Sequence, residues 1–367
     1  MSSSMPTFRA LFSRDAEVYA DAPGRVNLIG EHTDYNGGYV LPAAVPQRTR
    51  VELAARPDGT VRLWSAQSQG EVASYTLGEE RRDGTWTDYV KGMTRALAQH
   101  GALGGFDMRV DSDVPVGSGL SSSAALEIAA GRALRERFHL RLTDLQLAMA
   151  GQRAENELVG APVGIMDQMA SVFADTATAL FVDTRTLAYA RVQLPASAAV
   201  VVIDSGISHR NAGGAYAERR AECEQAASRL GVRQLRDVGI ADLHRVSQLP
   251  SPLDRRARHI VTENQRVLDT VDAFGRGVLA AAGRLCNESH VSMRDDFEIS
   301  VPEIDRLVAI AQATDGVYGA RLTGGGFGGS VVVLADAAQA RTAAAHIVNQ
   351  YAATTGNAGR LLVQPEG

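Results

Sequence analysis

Between Gly24 and Gly38 the chain reads Gly24-Arg25-Val26-Asn27-Leu28-Ile29-Gly30-Glu31-His32-Thr33-Asp34-Tyr35-Asn36-Gly37-Gly38. One guanidinium, two carboxylates and an imidazole fall within ten residues, bracketed by glycines that permit tight backbone geometry. Arg25 offers fixed donors while Glu31 and Asp34 accept hydroxyl protons, so the segment can surround a polyhydroxylated small molecule. His32 by itself says little, and Glu31 to Asp34 taken alone would also serve as an ordinary polar turn.

A second cluster is Pro115-Val116-Gly117-Ser118-Gly119-Leu120-Ser121-Ser122-Ser123-Ala124-Ala125. Glycines ahead of a helix start put free backbone N–H groups and the positive end of the helix dipole where phosphate can bind. A simple N-cap needs one serine; three in succession followed by two alanines go beyond it. The design contains no lysine. Lys91 is the only lysine among 37 basic residues, so no GxxxxGK[ST] loop exists, and Schiff-base chemistry would rest on Lys91 alone.

Gly324-Gly325-Gly326-Phe327-Gly328-Gly329 contains GxGxxG, but a dinucleotide fingerprint must open a helix, and Ser330 to Leu334 reads as a strand. The segment is either a glycine turn between strands or a loop backing the phosphate site. In Gly164-Ile165-Met166-Asp167-Gln168 the aspartate falls at a helix start, where the dipole favours a carboxylate whatever its role.

The elements that must hold these motifs follow from periodicity. Thr49 to Ala54, Thr60 to Trp64 and Phe106 to Val110 predict strands, and Leu126, Ala130 and Leu134 predict a helix from Ser121 to Phe138. Further helices are predicted from Asp144 to Leu158, capped by Thr143, and from Ile165 to Phe173. In the second half, Ala198 to Ile203 and Val331 to Leu334 predict strands. Helices are predicted for Tyr216 to Leu230, Asp254 to about Asn287 and Ala337 to Tyr351.

At 367 residues, two domains are expected, divided near residue 195 into 1–195 and 196–367. With 37 basic against 42 acidic residues the net charge is −5, which argues against nucleic acid as a partner. Cys223 and Cys286 lack metal-ligand or CxxC spacing, and no apolar run approaches the ~18 residues of a membrane span. Nor do Met1 to Ala10 resemble a secretory leader; a cytoplasmic protein without membrane contact is expected.

Together the four motifs resemble the GHMP kinases, and within them the galactokinases most closely. Gly24 to Tyr35 matches the galactokinase signature, Pro115 to Ala125 the phosphate loop shared by the superfamily, and Gly324 to Gly329 its third motif. Trp86 to Gly92, Gly164 to Gln168, Tyr216 to Cys223 and Arg256 to Arg266 also match, so the resemblance spans almost the whole chain. One departure is Ser330, where many galactokinases carry cysteine.

The resemblance implies an α+β, two-domain fold: an N-terminal ribosomal-protein-S5-like α/β domain and a C-terminal ferredoxin-like domain, with the active site in the cleft between them. It implies ATP-dependent phosphorylation of α-D-galactose at its anomeric hydroxyl, with Asp167 facing that hydroxyl and Arg25 as its cationic partner. Glu31, His32, Asp34, Gly164 and Tyr216 correspond to sugar contacts. Gly117, Ser118, Gly119, Leu120, Ser121, Ser122 and Ser123 correspond to nucleotide contacts, with Trp86 and Tyr89 near the base. Ser123 and Glu155 match the protein ligands of Mg²⁺. A monomer is expected. A kinase for N-acetylgalactosamine or L-arabinose, and a sugar and ATP sensor without catalysis, are the alternatives; the intact serine run and the presence of both Arg25 and Asp167 count against the sensor.

Overall fold

A computed structural model describes residues 5–68, 70–207 and 212–364. In chain order the first half holds helix α1 (Phe8–Phe12), strands β1 (Val18–Asn27), β2 (Tyr39–Val40), β3 (Pro42–Ala55), β4 (Thr60–Ser65) and β5 (Ala73–Thr76), helix α2 (Thr87–Leu97), β6 (Phe106–Ser112), and helices α3 (Ser122–Arg137), α4 (Asp144–Ala154) and α5 (Met166–Phe173). The second half adds β7 (Thr178–Asp183), β8 (Tyr189–Gln193), β9 (Ala198–Asp204), α6 (Ala212–Leu230), α7 (Leu243–Val246), α8 (Leu253–Gly275), α9 (Leu279–Asp295), α10 (Pro302–Gln312), β10 (Val317–Thr323), β11 (Ser330–Asp336), α11 (Ala340–Thr355) and β12 (Arg360–Val363).

By packing, the chain forms two units. The first comprises residues up to Arg25, Val45–Val116 and Ser121–Phe173; the second comprises Val26–Ala44, Gly117–Leu120 and the chain from Ala174. A single cut near residue 195 does not coincide with this division, because β1 and β3 each run through both units and residues 26–44, 117–120 and 174–195 pack with the second.

In the first unit β3 pairs antiparallel with β6, from Thr49 opposite Ser112 to Ala55 opposite Phe106, and β4 lies parallel on the other side of β6. Alternation along these strands turns Val51, Leu53, Leu63, Phe106 and Met108 towards Met93 and Leu97 of α2, Ile128 and Leu134 of α3, and Leu147 of α4. Thr143 caps α4 as expected: its hydroxyl accepts from Gln146 N at 3.2 Å while the Gln146 side chain accepts from Thr143 N at 2.8 Å. Beyond Ala154 the helix widens into a π turn, Glu155–Val159, closed by Gly160 at φ +76°.

The second unit is built on an antiparallel sheet ordered β10-β11-β9-β12. Numbered in chain order, that is 2-3-1-4 in a βαββαβ sequence, the ferredoxin-like arrangement. Val201, Ile203, Leu322, Val331 and Val333 pack with Ile260, Met293, Phe297, Leu307 and Ile347 from its helices. The single helix expected from Asp254 to Asn287 is two. After α8 the backbone turns left-handed at Gly277 (φ +69°), Gly277 N bonds Phe274 O at 3.0 Å, and Val278 N bonds Ala273 O at 2.9 Å, a Schellman stop. Apolar periodicity resumes at once in Val278 and Leu279, which hides the break from a pattern reading. Cys223 and Cys286 are buried free thiols. No helix among the described residues is long and apolar enough to cross a membrane.

Helix α9 meets β10 through glycine. A Cβ on Gly283 would lie 2.1 Å from the Tyr318 carbonyl oxygen, a backbone atom with nowhere to go. Gly283→Ala is therefore expected to destabilise the protein by about 1–3 kcal/mol through forced separation of helix and strand, read as a lower urea midpoint with unchanged slope.

Candidate active site

In the first unit, Arg25 near the end of β1 grips Asp167 in the first turn of α5 with two parallel bonds, Nε to Oδ1 at 2.7 Å and Nη2 to Oδ2 at 2.8 Å. The Ser121 hydroxyl donates to the same Oδ2. Gln168 faces the other way: its Nε2 donates to Glu127 Oε2 and to Glu155 Oε2, each at 3.0 Å. Glu155 also accepts from the Ser123 hydroxyl, yet burial, aided by the charge of Asp167, pushes its carboxyl up to about 7. Burial likewise holds the Glu127 carboxyl far above the ordinary range, with Glu155 adding to the effect.

These groups form an acid-rich, largely buried cluster. Glu127 Oε1 and Gln168 Oε1 are buried without a partner. Ser123 and Glu155 place a hydroxyl and a carboxylate oxygen side by side, hard donors of the kind Mg²⁺ takes. Among the described residues no three His, Cys, Asp or Glu side chains gather as a metal cluster.

Ser121 precedes α3 with left-handed backbone, φ 59° and ψ 55°, and its side chain makes no capping bond. The first helical bond runs from Ala125 N to Ser121 O, so the N–H groups ahead of it stand at the positive end of the dipole without a side-chain cap. Beside them lies a pocket of about 260 Å³ lined by Trp86, Tyr89, Val110, Leu126, Ser122 and Ser123 among others, with apolar walls and hydroxyls at its edge. Lys91 is committed elsewhere: Nζ donates to Asp83 at 2.6 Å and to Asp88 at 3.0 Å, its side chain 7% exposed. Gly164 is buried just ahead of α5.

The second unit carries the Val26–Gly38 loop. Glu31 is buried and accepts from Arg321 Nη2 at 2.8 Å, Gly324 N at 2.7 Å, Thr323 Oγ1 at 3.2 Å and the Asn27 amide. Arg321 has no exposed surface and also lies 3.8 Å from Glu263, whose carboxylate accepts from Gly30 N at 3.0 Å. His32, itself left-handed at φ 63°, packs against Tyr216 at 4.9 Å and Phe297 at 4.8 Å between ring centres. Its Nε2 lies 3.2 Å from the Gly325 carbonyl, which only accepts, so Nε2 carries the proton and Nδ1 accepts from the Tyr35 hydroxyl at 2.7 Å. Burial, with His259 nearby, pushes His32 down to about 3, so the ring is neutral. Asp34 and Tyr216 are half-buried.

Gly117 and Gly119 adopt φ +76° and +78°; a Cβ on Gly119 would press on the Thr323 carbonyl at 3.3 Å. The Ser330 hydroxyl donates to the Ser118 carbonyl at 2.6 Å, and Leu120 is fully buried. Gly324–Gly329 joins two antiparallel strands, as the glycine-turn reading expects, and Gly324 packs against the backbone of Gly119. Pattern reading missed Glu127, Gln168, Glu263 and Arg321. A carboxylate inside the alanine-rich run Ala124-Ala125-Leu126-Glu127-Ile128 was a visible signal for the first; Arg321, between Ala320 and Leu322 in a strand, offered a weaker one.

The family description "GHMP kinases N terminal domain" matches residues 88–175, "GHMP kinases C terminal" matches 270–353, and "Galactokinase galactose-binding signature" matches 6–55. The fold is that of a GHMP kinase, and the mevalonate kinase of Methanococcus jannaschii shares it, with a TM-score of 0.69 at 17% identity over 96% of this chain and 100% of that one. Galactokinase of Roseiflexus sp. (strain RS-1) is 44% identical over 97% of this chain and 93% of its own length; that of Chloroflexus aurantiacus is 43% identical over 100% and 96%. The crystal structure of Lactococcus lactis galactokinase complexed with galactose superposes with a TM-score of 0.94 at 34% identity, covering 98% of this chain and 96% of that one. The chain belongs to the galactokinase family.

His259 shows how the buried loop responds to acid. Its Nε2 reaches the Glu31 carbonyl at 3.2 Å, and burial pushes the ring down to about 4 despite the opposing pull of Glu263. A base depressed on folding stabilises the fold fully above its unfolded value near 6.5 and loses that contribution as pH falls towards 4. The stability gap between wild type and His259→Gln should therefore shrink by about 2 kcal/mol between pH 7 and pH 5, measured by urea unfolding; parallel curves would remove the histidine from the acid response.

Proposed function

We propose that this sugar kinase transfers the γ-phosphoryl group of ATP to the anomeric hydroxyl of α-D-galactose, giving galactose 1-phosphate and ADP, the entry step of the Leloir pathway. The observation that carries the reading is Asp167, clamped by Arg25 and reached by Ser121, on the same unit as the uncapped amino end of α3. Asp167 accepts the hydroxyl proton as the sugar oxygen attacks, and Arg25 fixes the carboxylate and offsets charge on the transferring group. Asp34, His32, Gly164, Tyr216 and Glu31 contact the sugar, Glu31 being anchored first by its four protein donors.

The triphosphate lies on the N–H groups of Gly117 to Ser123, with the base in the pocket of Trp86 and Tyr89. Since Lys91 is paired with two aspartates, neutralisation falls to the helix dipole and to Mg²⁺ held by Ser123 and Glu155. When bound, the ion supplies charge neutralisation on the phosphates. The family domains are proposed to meet near residue 195, in the interval between the matched segments. A monomeric, cytoplasmic enzyme belongs to the same proposal.

ATP consumption against a panel of sugars tests this directly. Galactose should exceed glucose by at least about 100-fold in kcat/KM, because a site built on hydrogen bonds to one hydroxyl leaves polar groups unpaired when its epimer binds. Equal use of glucose, preference for N-acetylgalactosamine or L-arabinose, or no turnover of any sugar would each replace the galactose reading. Asp167→Asn keeps shape but cannot take the proton. It is expected to reduce turnover by about 100-fold or more while calorimetric galactose affinity stays within about tenfold; a variant retaining over about a tenth of the rate would show that Asp167 is not the base.

A further inference from the structure

Ser121 occupies the position from which a serine ordinarily caps a helix, and it does something else. Left-handed backbone is costly for any residue with a Cβ and persists where surrounding contacts hold it. Here that geometry turns the hydroxyl away from the first turn of α3 and onto Asp167 Oδ2. The two oxygens of Asp167 thereby become unequal: Oδ2 accepts from both Arg25 Nη2 and Ser121, whereas Oδ1 accepts from Arg25 Nε. Rotating the carboxylate would break all three bonds.

We propose that Ser121 is a positioning residue for phosphoryl transfer, pinning Asp167 so that Oδ1 is the oxygen presented to the reacting hydroxyl. This rests on Asp167 being the group that faces the sugar. As the sugar oxygen bonds to the γ-phosphorus, the bond from that phosphorus to the ADP oxygen breaks and its electron pair leaves with ADP. The hydroxyl proton passes to Asp167 Oδ1, while Ser121 keeps its own proton on Oγ and goes on donating it to Oδ2. The same turn of backbone leaves the first N–H groups of α3 to the nucleotide, so one strained residue serves both substrates.

Two substitutions separate the hydroxyl from the backbone. Ser121→Gly adopts the left-handed conformation freely and removes only the hydroxyl, and Ser121→Asn tolerates that conformation while offering an amide donor. For Ser121→Gly we expect kcat to fall about tenfold or more, with KM for galactose and ATP and the calorimetric galactose Kd within about threefold and the melting temperature not lowered. Ser121→Asn should recover part of the loss. A serine serving only the backbone would give a glycine variant with wild-type kcat, and that result overturns the inference. So does a large rise in KM for ATP at unchanged kcat, which would make Ser121 a nucleotide ligand. Wild-type protein inactive on galactose overturns the sugar reading and this inference together, whereas an active wild type with a fully active glycine variant overturns the inference alone.

Discussion

A guanidinium with no exposed surface is tolerable only when carboxylates and carbonyls take up its hydrogen bonds, and Arg321 is such a group. Glu31, Glu263, Ser289 Oγ and the Asn27 carbonyl surround it. Glu31 then draws in Gly324 N and Thr323, and Glu263 draws in Gly30 N, so that one buried charge pulls the signature loop, β10 and α8 into register. Removing either partner would strand a charge with no access to water. The members of this network are therefore held in one arrangement by their mutual hydrogen bonds.

In the first unit carboxylates again outnumber cations. Glu127, Glu155 and Asp167 lie together, and Arg25 answers Asp167 directly. Burial raises two of the three carboxyls, so the cluster resists ionising fully while it is left to itself. Cationic chemistry is what it lacks. A cation held by Ser123 and Glu155, as proposed above, would fill that need.

Left-handed backbone at residues with a Cβ occurs at Ser13, His139, Leu187, Glu298 and Phe327 as well as at His32 and Ser121. His32 and Ser121 are both left-handed with side chains turned inward, one into the aromatic box with Tyr216 and Phe297, the other onto Asp167. Neither conformation is chosen by local preference, since each carries a Cβ penalty.

Much of this was legible beforehand. Glycines at 117 and 119 announced a flexible approach to a helix start, Thr143 announced a helix cap, and the runs at 198–203 and 331–334 announced strands, because each depends on near neighbours in the chain. The α+β class and the family followed from four motifs in order. The Asp254–Asn287 pattern concealed a helix stop, since a Schellman turn at Gly277 need not interrupt apolar spacing. Three things were decided only by tertiary structure: which oxygen of Asp167 Ser121 binds, which residues neutralise Arg321, and how Gln168 bridges Glu127 and Glu155. Those partners stand from 13 to 290 residues apart, and a contact between distant residues is set by the packing of strands and helices rather than by the spacing of residue types along one of them.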